Sequence, residues 1–371
     1  MDLGFRQGDV KRICHVITPW TATCIQMTPA PIREATDRAS AAAIIMKSID
    51  QGENALRIAV ERDARDLVLF PEFVFSGGSG PKLLGVVDIA GPEIERAQQI
   101  AQKYRIFIAS NWYTRSPDFP GRYMNTSLLM NRSGEIVLKS YRLHTYHSSS
   151  PHDFWKSFVD KYGIEGVFPV AKTELGNIAM LPSMEILFPE VPRMFCLRGA
   201  EVLLHTTAES IVDRSVKRTR ATENLMFVVS CNSAAQSGPD PYMQVGSMIA
   251  NFRGQVLAEV NQGVATQCTA VIDVEGLRRR RANIDLGYPP YGANYLSRMR
   301  VEMFREIYNS VSLYPPDTYK EGTVYENALS PELLVENLQF GRRNMAKAGM
   351  LPQEYAEGII PEGGTPASAR S

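Results

Sequence analysis

Asp66-Leu-Val-Leu-Phe-Pro-Glu-Phe73 is the stretch of this 371-residue sequence that most constrains its fold. Its apolar residues form a continuous run that Pro71 closes, which predicts a strand buried on both faces. Such strands occur in sheets that helices cover, so the stretch indicates an α/β domain. Glu72 follows the strand at its carboxyl end, where open α/β sheets place functional groups. A buried carboxyl there suits a general base, and a turn or capping role is the alternative.

Strand and helix patterns alternate on both sides of that stretch. Apolar residues recur every three to four positions over 34–64, which predicts a helix broken near Gln51-Gly52. The other predicted elements are helices at 92–104, 190–198 and 213–224, strands at 23–27, 106–110, 178–181, 202–205 and 226–230, and hairpins at 127–138 and 247–260. Neither a repeat nor a low-complexity linker interrupts the pattern, so a single α/β domain over residues 21–275 is the simplest interpretation.

Both ends of the chain differ from that domain. Residues 1–20 are polar and irregular and are interpreted as an N-terminal extension. Residues 276–371 are interpreted as a C-terminal extension that contacts a dimer partner, with a helical pattern over 299–311 and a polar tail that is expected to fray. Acidic residues flank the run Arg278-Arg-Arg-Arg281, which favours a helix facing solvent or a dimer interface over an anion-binding patch.

The composition is that of an ordinary globular protein and excludes several classes. Hydrophobic residues make up 44% and charged residues 22% of the chain, which excludes disorder as its main character. The 40 basic and 40 acidic residues balance, so no global positive field favours a nucleic acid partner. The apolar stretches fall short of the roughly 20 residues that span a membrane, and the N-terminus lacks a signal-peptide pattern. A cytoplasmic location is expected, as are reduced thiols for the five widely spaced cysteines.

Arg142 and Ser183 are polar residues at two further strand ends. A permanent guanidinium at Arg142 can hold a carboxylate or a developing oxyanion, and a surface arginine that closes a hairpin is the alternative. At Ser183 a strand runs into a sharp turn before a helix begins, which is the geometry of a nucleophile elbow without its glycines. The alternative for this serine is to cap the following helix.

Histidine, cysteine and aromatic side chains near these strand ends are further candidates. Three of the five histidines lie in one loop: His144, His147 and His152. His144 or His147 is a candidate base for Ser183, while their spacing lacks the carboxylate or cysteine at fixed register that a metal site needs. Cys196 is expected to be a buried packing thiol. Three aromatic residues are also candidates: Trp112, Tyr113 and Trp155. They either line the mouth of a pocket or pack in the core or at an interface.

Taken together, these segments resemble the carbon–nitrogen hydrolases of the nitrilase superfamily over about residues 20–275. The matching segments are Leu69–Phe73, Tyr123–Thr126, Gly134–Ile136, Arg142–His144, Glu185–Glu190 with Arg193, Gly199–Glu201, Arg220–Asn224, Gly246–Ile249 and Gly254–Ala258. The resemblance implies a four-layer α-β-β-α sandwich that forms a homodimer or larger homo-oligomer, with C-terminal segments that reach across the partner. It also implies chemistry that needs no metal or organic cofactor.

The family uses a glutamate base, a lysine that stabilises the oxyanion and a cysteine nucleophile, and this sequence keeps the first of the three. The resemblance places Glu72 at the base position, Arg142 at the lysine position and Ser183 at the cysteine position. The family's auxiliary glutamate falls near Asp153, with Glu165 as a second candidate. Each replacement keeps its charge sign or hydrogen-bonding type, which predicts that a polar, charged pocket is still in use.

The neighbours of these positions have implied supporting roles. The main-chain N–H of Met184 is a candidate oxyanion donor. Glu185 is expected to brace the turn that carries the serine, and His144 is expected to serve packing and hydrogen bonding, as the residues at these positions do in the family.

A serine hydroxyl is harder to deprotonate than a thiol, whereas arginine keeps the positive charge of lysine. The predicted function is hydrolysis of a non-peptide C–N bond in a small linear amide or carbamoyl (ureido) compound, with amides favoured over nitriles. In a second interpretation, Ser183 positions a water or an amine in a hydrolase or synthase. In a third, the chain is a catalytically silent relative that binds a ligand or a protein, and Arg142 then forms a closed ion pair with Glu72 or Asp153.

Overall fold

The computed structural model describes residues 16–77, 83–145, 148–208, 214–234, 246–260, 265–283, 293–318 and 331–357. The described strands fall into two sheets. In spatial order, the first sheet holds β12 (Thr266–Ile272), β1 (Trp20–Gln26), β2 (Leu67–Leu69), β3 (Phe107–Arg115), β4 (Tyr123–Met130) and β5 (Ile136–Tyr141). The second holds β11 (Val256–Glu259), β10 (Met248–Ala250), β9 (Phe227–Asn232), β8 (Val202–Thr207), β7 (Gly176–Pro182) and β6 (Ala171–Thr173).

Helices cover the outer faces of the two sheets and continue after the last strand. The helices before β12 are α1 (Arg38–Arg62), α2 (Pro92–Tyr104), α3 (Trp155–Val167), α4 (Glu190–Leu197) and α5 (Arg214–Asn224). Those after β12 are α6 (Val274–Ala282), α7 (Ala293–Leu296), α8 (Val301–Ser310), α9 (Pro331–Lys347) and α10 (Gln353–Ala356). α1 and α2 pack on the first sheet, and α4 and α5 pack on the second.

Each sheet has three parallel strands at its centre, flanked by antiparallel neighbours. Because side chains alternate across a strand, Leu67 and Leu69 face the second sheet while Val68 and Phe70 face the helices. Both faces of β2 are therefore buried, which explains its continuous apolar run. The layers follow in the order α-β-β-α, and the predicted sandwich is confirmed.

Most predicted elements are confirmed, with strands that run further than their apolar cores suggest. β3 continues to Arg115 and β8 continues to Thr207, because polar residues at their ends still pair in the sheets. β6, β12 and α3 were not predicted from the sequence. The polar N-terminal extension was expected to reach residue 20, but β1 begins at Trp20, and residues 1–15 lie outside the described ranges. The expected frayed tail after residue 361 also lies outside them.

The predicted break near Gly52 is wrong, because α1 runs through it without interruption. Gly52 is buried, and a Cβ atom at this position would lie 2.7 Å from Cε1 of Phe75. The glycine therefore lets the helix approach the segment that follows β2 instead of ending the helix. A glycine in a helical pattern often indicates a helix end, but at this position it reflects a close contact between the helix and a loop.

The arginine run at the end of the domain forms part of α6, as predicted, but two of its members bind this chain itself. Arg278 contacts the Glu201 carboxylate, with its Nε atom 2.7 Å from Oε1. Arg281 donates to the main-chain carbonyl groups of Ala200 and Leu225. The expectation of a face turned wholly to solvent or a partner is thus wrong for these two residues, which attach α6 to the second sheet.

Three further structural facts bear on the classes considered from the sequence. None of the helices in the described ranges has the length and apolar character that a bilayer crossing requires. Over the same ranges, histidine, cysteine, aspartate and glutamate side chains form no group of three or more suited to hold a metal ion. The described cysteines are free and buried: Cys24, Cys196, Cys231 and Cys268.

Candidate active site

Glu72 lies directly after β2 and is almost fully buried. Asn125, on β4, donates from Nδ2 to Oε1 of Glu72 at 2.9 Å. The Oδ1 atom of Asn125 in turn accepts from Asn111 at 2.7 Å, so a chain of two amides orients the carboxylate. A buried carboxyl group needs such hydrogen-bond partners, and here a neutral amide supplies one.

The residue after this glutamate has an unusual backbone. Phe73 has a φ of +56°, in the left-handed region that residues with side chains rarely adopt. Its ring stacks on Tyr113 with centroids 4.4 Å apart, and Tyr123 meets Tyr113 edge-on. Burial, and then the charge of Glu72, raise the pKa of Tyr113, so this phenol stays neutral. The aromatic cluster forms an apolar wall beside the carboxylate.

Arg142 follows β5 and points toward the same carboxylate. Its Nη1 atom lies 3.4 Å from Oε1 of Glu72, and its side chain is mostly buried. Its Nε donates to the carbonyl of His144 at 3.2 Å. Charge-assisted pairs of this kind normally have N–O distances near 2.7–2.9 Å. Arg142 thus contacts Glu72, as expected of a silent relative, but at 3.4 Å the two groups do not form the closed ion pair that this interpretation predicts.

Ser183 begins the 3-10 helix Ser183–Leu187 that follows β7, and we refer to this short helix as the elbow. Its φ is +54°, which costs on the order of 1–2 kcal/mol for a residue with a side chain. The serine is fully buried and is the first residue of the elbow, whereas Pro182 occupies the capping position. The structure thus reproduces the sharp strand-to-helix turn inferred from the sequence, and the capping alternative for Ser183 is wrong.

Glu185 connects the elbow to the residues that follow β5. Its Oε1 atom accepts from the main-chain N–H groups of Leu143, at 3.2 Å, and His144, at 2.6 Å. Its Oε2 atom lies 2.9 Å from Nδ1 of His144. A second link joins the sheets nearby, where the Ser140 hydroxyl donates to the Met180 carbonyl at 2.8 Å. These contacts place the elbow beside Arg142, whose Nε atom lies 4.0 Å from Oε1 of Glu185 and whose Nη1 atom contacts Glu72.

His205, two residues before the end of β8, contacts the elbow from the helix side of the second sheet. Its Nε2 atom lies 2.8 Å from the carbonyl oxygen of Ser183, and its Nδ1 atom lies 2.9 Å from Oγ of Ser230. Burial, and secondly the charge of Lys217, lower the pKa of His205 to about 3. The ring is therefore neutral at physiological pH.

The two candidates for the auxiliary acid have other partners in this structure. The Asp153 carboxylate accepts from the main-chain N–H of Ser150 at 2.7 Å, and the Thr318 hydroxyl lies 3.4 Å from its other oxygen. Burial raises the pKa of Asp153 to about 7. Glu165 is exposed and pairs with Arg198. Asp153 therefore has the burial and the pKa of a candidate auxiliary acid, and Glu165 has neither.

The remaining sequence candidates have varied surroundings. His144 stacks on Phe188 and contacts Glu185, so its environment is that of a packing residue, and Met184 is half-buried in the elbow. Trp112 is fully buried and donates to the Ser110 hydroxyl, which places it in the core. His147 lies outside the described residues. Cys196 is buried in α4, as expected of a packing thiol. His152 and Trp155 are partly buried and contact each other, and Trp155 is the first residue of α3.

Sequence reasoning missed Asn125, His205 and the fully buried Lys217 on α5. A signal existed for His205, because polar residues end the apolar run Val202–Leu204, as they do at the other strand ends. Asn125 and Lys217 carry no comparable local signal, since each is recognisable only from the partner that the tertiary structure brings to it.

Comparison with known proteins gives one family. The family model "Carbon-nitrogen hydrolase" matches residues 21–282. A formamidase of Bradyrhizobium sp. (strain ORS 278) is 27% identical over 224 residues, which cover 58% of this chain and 63% of that protein. The chloroplastic omega-amidase of Arabidopsis thaliana is 25% identical over 263 residues, which cover 67% of this chain and 69% of that protein. The match to the formamidase thus spans less than two thirds of its length.

Solved structures share the fold at lower identity. The Saccharomyces cerevisiae protein Nit3, a member of branch 10 of the nitrilase superfamily, superposes with a TM-score of 0.56 at 18% identity, covering 73% of this chain and 96% of Nit3. An amidase from Nesterenkonia sp. gives a TM-score of 0.55 at 20% identity and covers 78% of this chain and 96% of the amidase. At these identities the similarity shows the fold alone.

Proposed function

This chain belongs to the carbon–nitrogen hydrolase family, and from that premise we propose that it hydrolyses a non-peptide C–N bond in a small linear amide. The observation that carries the proposal is the convergence of Glu72 and Arg142, from the first sheet, with the elbow of Ser183, from the second. Relatives named formamidase, omega-amidase and amidase support an amide as the substrate class.

In the proposed reaction the Ser183 hydroxyl is the nucleophile. Its oxygen attacks the amide carbonyl carbon while Glu72 takes the hydroxyl proton. The negative charge that develops on the carbonyl oxygen faces the guanidinium of Arg142 and the main-chain N–H of Met184. Glu72 returns the proton to the nitrogen, the C–N bond breaks, and ammonia or an amine leaves. A water molecule, deprotonated by Glu72, then hydrolyses the serine ester to a carboxylic acid and restores the hydroxyl.

The surroundings of Glu72 favour a small substrate without a large charged head. The wall beside the carboxylate consists of Phe73, Tyr113 and Tyr123, all of them buried. Simple amides and carbamoyl compounds match such a wall because they carry one polar group on a short chain. Nitriles are disfavoured, because a hydroxyl adds to a nitrile carbon less readily than a thiol does.

The contact between Arg142 and Glu72 favours a second candidate, a catalytically silent relative that binds a ligand or a protein. A guanidinium 3.4 Å from the proposed base stabilises the charged carboxylate and weakens it as a base. A serine, moreover, lacks the low pKa that makes a cysteine an easy nucleophile. Both features predict binding without turnover if Arg142 does not move when a ligand arrives.

The decisive experiment is intact-mass spectrometry of the protein incubated with formamide, propionamide, a carbamoyl amine and an activated ester, together with an assay of released ammonia. The variants Ser183→Ala and Ser183→Cys are treated in parallel. We expect the parent to turn over an amide and to show an acyl adduct. Ser183→Ala should abolish the adduct and lower the rate of turnover by orders of magnitude. Turnover that survives Ser183→Ala would instead favour a positioned water. An inert parent with an active Ser183→Cys variant would identify a silent relative.

A further inference from the structure

A histidine that takes no direct part in the proposed reaction holds the main chain of the elbow. β8 runs parallel to β7, and the pairing of Leu181 with His205 brings this side chain to the start of the elbow. The imidazole is fully buried, and its Nε2 atom lies 2.8 Å from the carbonyl oxygen of Ser183. A carbonyl can only accept, so Nε2 carries the hydrogen. Nδ1 must then accept the hydroxyl hydrogen of Ser230, which lies 2.9 Å away on β9.

We propose that His205 is a positioning residue, which fixes the peptide plane between Ser183 and Met184 by donating from Nε2 to the Ser183 carbonyl. This role rests on the function proposed above. It concerns the main chain of the elbow, whereas the reacting atoms belong to Ser183 and Glu72.

The peptide geometry shows why that hydrogen bond matters. The C=O and N–H groups of a trans peptide point in opposite directions within one plane. With the Ser183 carbonyl held on the side of His205, the N–H of Met184 must point the other way, which leaves it free to face a developing oxyanion. The bond also holds Ser183 at its φ of +54°, a value that a residue with a side chain leaves readily when nothing retains it.

The environment of the ring keeps it in the form that this role requires. Ser183 and Ser230 occupy its two nitrogens, and the charged group that acts on it is Lys217, which is fully buried on α5. A second positive charge next to this ammonium would be unfavourable, so the ring stays neutral and keeps one donor and one acceptor nitrogen. The Ser183 carbonyl, which can only accept, sets the hydrogen on Nε2, and the Ser230 hydroxyl adapts by donating to Nδ1.

The kinetic test compares His205→Leu with His205→Gln on the best amide substrate. Removing the donor is expected to lower kcat by about tenfold to a hundredfold with KM changed less than threefold, because the Met184 N–H that His205 positions acts in the transition state. His205→Gln should regain most of kcat, since its amide reaches the same carbonyl. Leu203→Val, two residues earlier on the same face of β8, is the control: it loosens the apolar cluster on that face and leaves the hydrogen bond to the Ser183 carbonyl in place. It should lower thermal stability and leave kcat unchanged.

Two outcomes would overturn the positioning role. One is an unchanged kcat in a folded His205→Leu variant. The other is a loss of kcat that His205→Gln does not restore and that follows thermal stability as Leu203→Val does. If His205→Leu does not fold, His205→Gln and His205→Asn give the same comparison, because the shorter amide does not reach the carbonyl.

A second measurement separates this proposal from the proposed function. Long-range ¹H–¹⁵N spectra of histidine-labelled protein, with His205→Gln to assign the resonances, should show a protonated Nε2 and an unprotonated Nδ1 from pH 5.5 to 8. An imidazolium, or a hydrogen on Nδ1, overturns the positioning role whether or not the protein is an amidase. Conversely, a parent that hydrolyses no amide but gives the expected spectra overturns the proposed function and leaves the contact between His205 and the elbow standing.

Discussion

At the scale of single residues, the groups of the site differ in what holds them. Glu72 is oriented by Asn125, Arg142 by its contacts with Glu72 and His144, and the main chain of Ser183 by His205. Each of these is a short-range polar contact in a buried place, where an unmet hydrogen bond costs about 1–3 kcal/mol. Conservative substitutions at such positions are therefore expected to change function before they unfold the chain.

Asp153 gives a pH prediction at this scale. Burial raises its pKa to about 7 in the folded protein, whereas an unfolded chain has a value near 4. The folded state thus binds more protons between these values, and the free energy of unfolding contributed by this group falls as pH rises from about 4 to 7. Asp153→Asn keeps an acceptor for the Ser150 N–H but cannot titrate. Between pH 5 and pH 8 we therefore expect its melting temperature to fall by several degrees less than that of the parent.

The matched control for this comparison is Asp160→Asn, on α3, the helix that begins two residues after Asp153. Asp160 is exposed and pairs with Lys156, so its removal should leave the pH dependence of the parent nearly unchanged. Parallel melting curves for the parent and Asp153→Asn across this pH range would contradict the assignment of a raised pKa to Asp153.

At the scale of elements, α1 depends on a small residue at one point. Gly52 would normally be improved by alanine in a helix, by about 1 kcal/mol. Here the added methyl group would meet Phe75, whose ring is itself packed against Phe70 and Trp112 with centroids about 5 Å away. Because the Phe75 ring is closely packed, it has little room to move away from an added methyl group. Packing therefore disfavours alanine at this position, whereas helix propensity favours it.

We predict that packing prevails and that Gly52→Ala destabilises the protein by about 1–2 kcal/mol in chemical unfolding. Gln51→Ala, at an exposed neighbouring position of α1, should be neutral or slightly stabilising. In the double variant with Phe75→Leu, the cost of the alanine should shrink, because the smaller side chain vacates the space. A Gly52→Ala variant as stable as Gln51→Ala would refute the steric explanation.

At the scale of the whole molecule, the C-terminal extension leaves apolar surface uncovered. α8 exposes Met303, Phe304, Ile307 and Tyr308, and the hydroxyl of Tyr308 donates to Glu190 on α4 at 2.7 Å. An apolar helical face fastened to the second sheet suits a contact with another chain. We propose a homodimer in which this face is covered, in keeping with the resemblance of the sequence to dimer-forming hydrolases.

Light scattering after size exclusion tests that assembly. The parent is expected to elute with twice the mass of one chain, and Ile307→Glu is expected to shift it toward the mass of one chain, because a buried carboxylate in an apolar contact is costly. Arg305→Glu, on the same helix but outside the apolar group, should keep the parent's mass. A parent of single-chain mass, or a dimer unaffected by Ile307→Glu, would contradict the proposal.

The sequence by itself determined the layered α/β fold, the family and the strand ends that carry Glu72, Arg142 and Ser183. These follow from local patterns, since a strand buried on both faces needs a continuous apolar run and a polar residue at its end stands out against it. The membership of the carbon–nitrogen hydrolase family confirms the resemblance that those segments suggested.

Only the tertiary structure decided which groups meet at the site. Asn125 reaches Glu72 across 53 positions, Glu185 reaches His144 across 41, and His205 reaches Ser183 across 22. Such pairs depend on the register of the sheets and on how the two sheets stack, neither of which a local pattern contains. The same reason explains Gly52, whose neighbour in the core lies outside its own helix and whose role only the packing reveals.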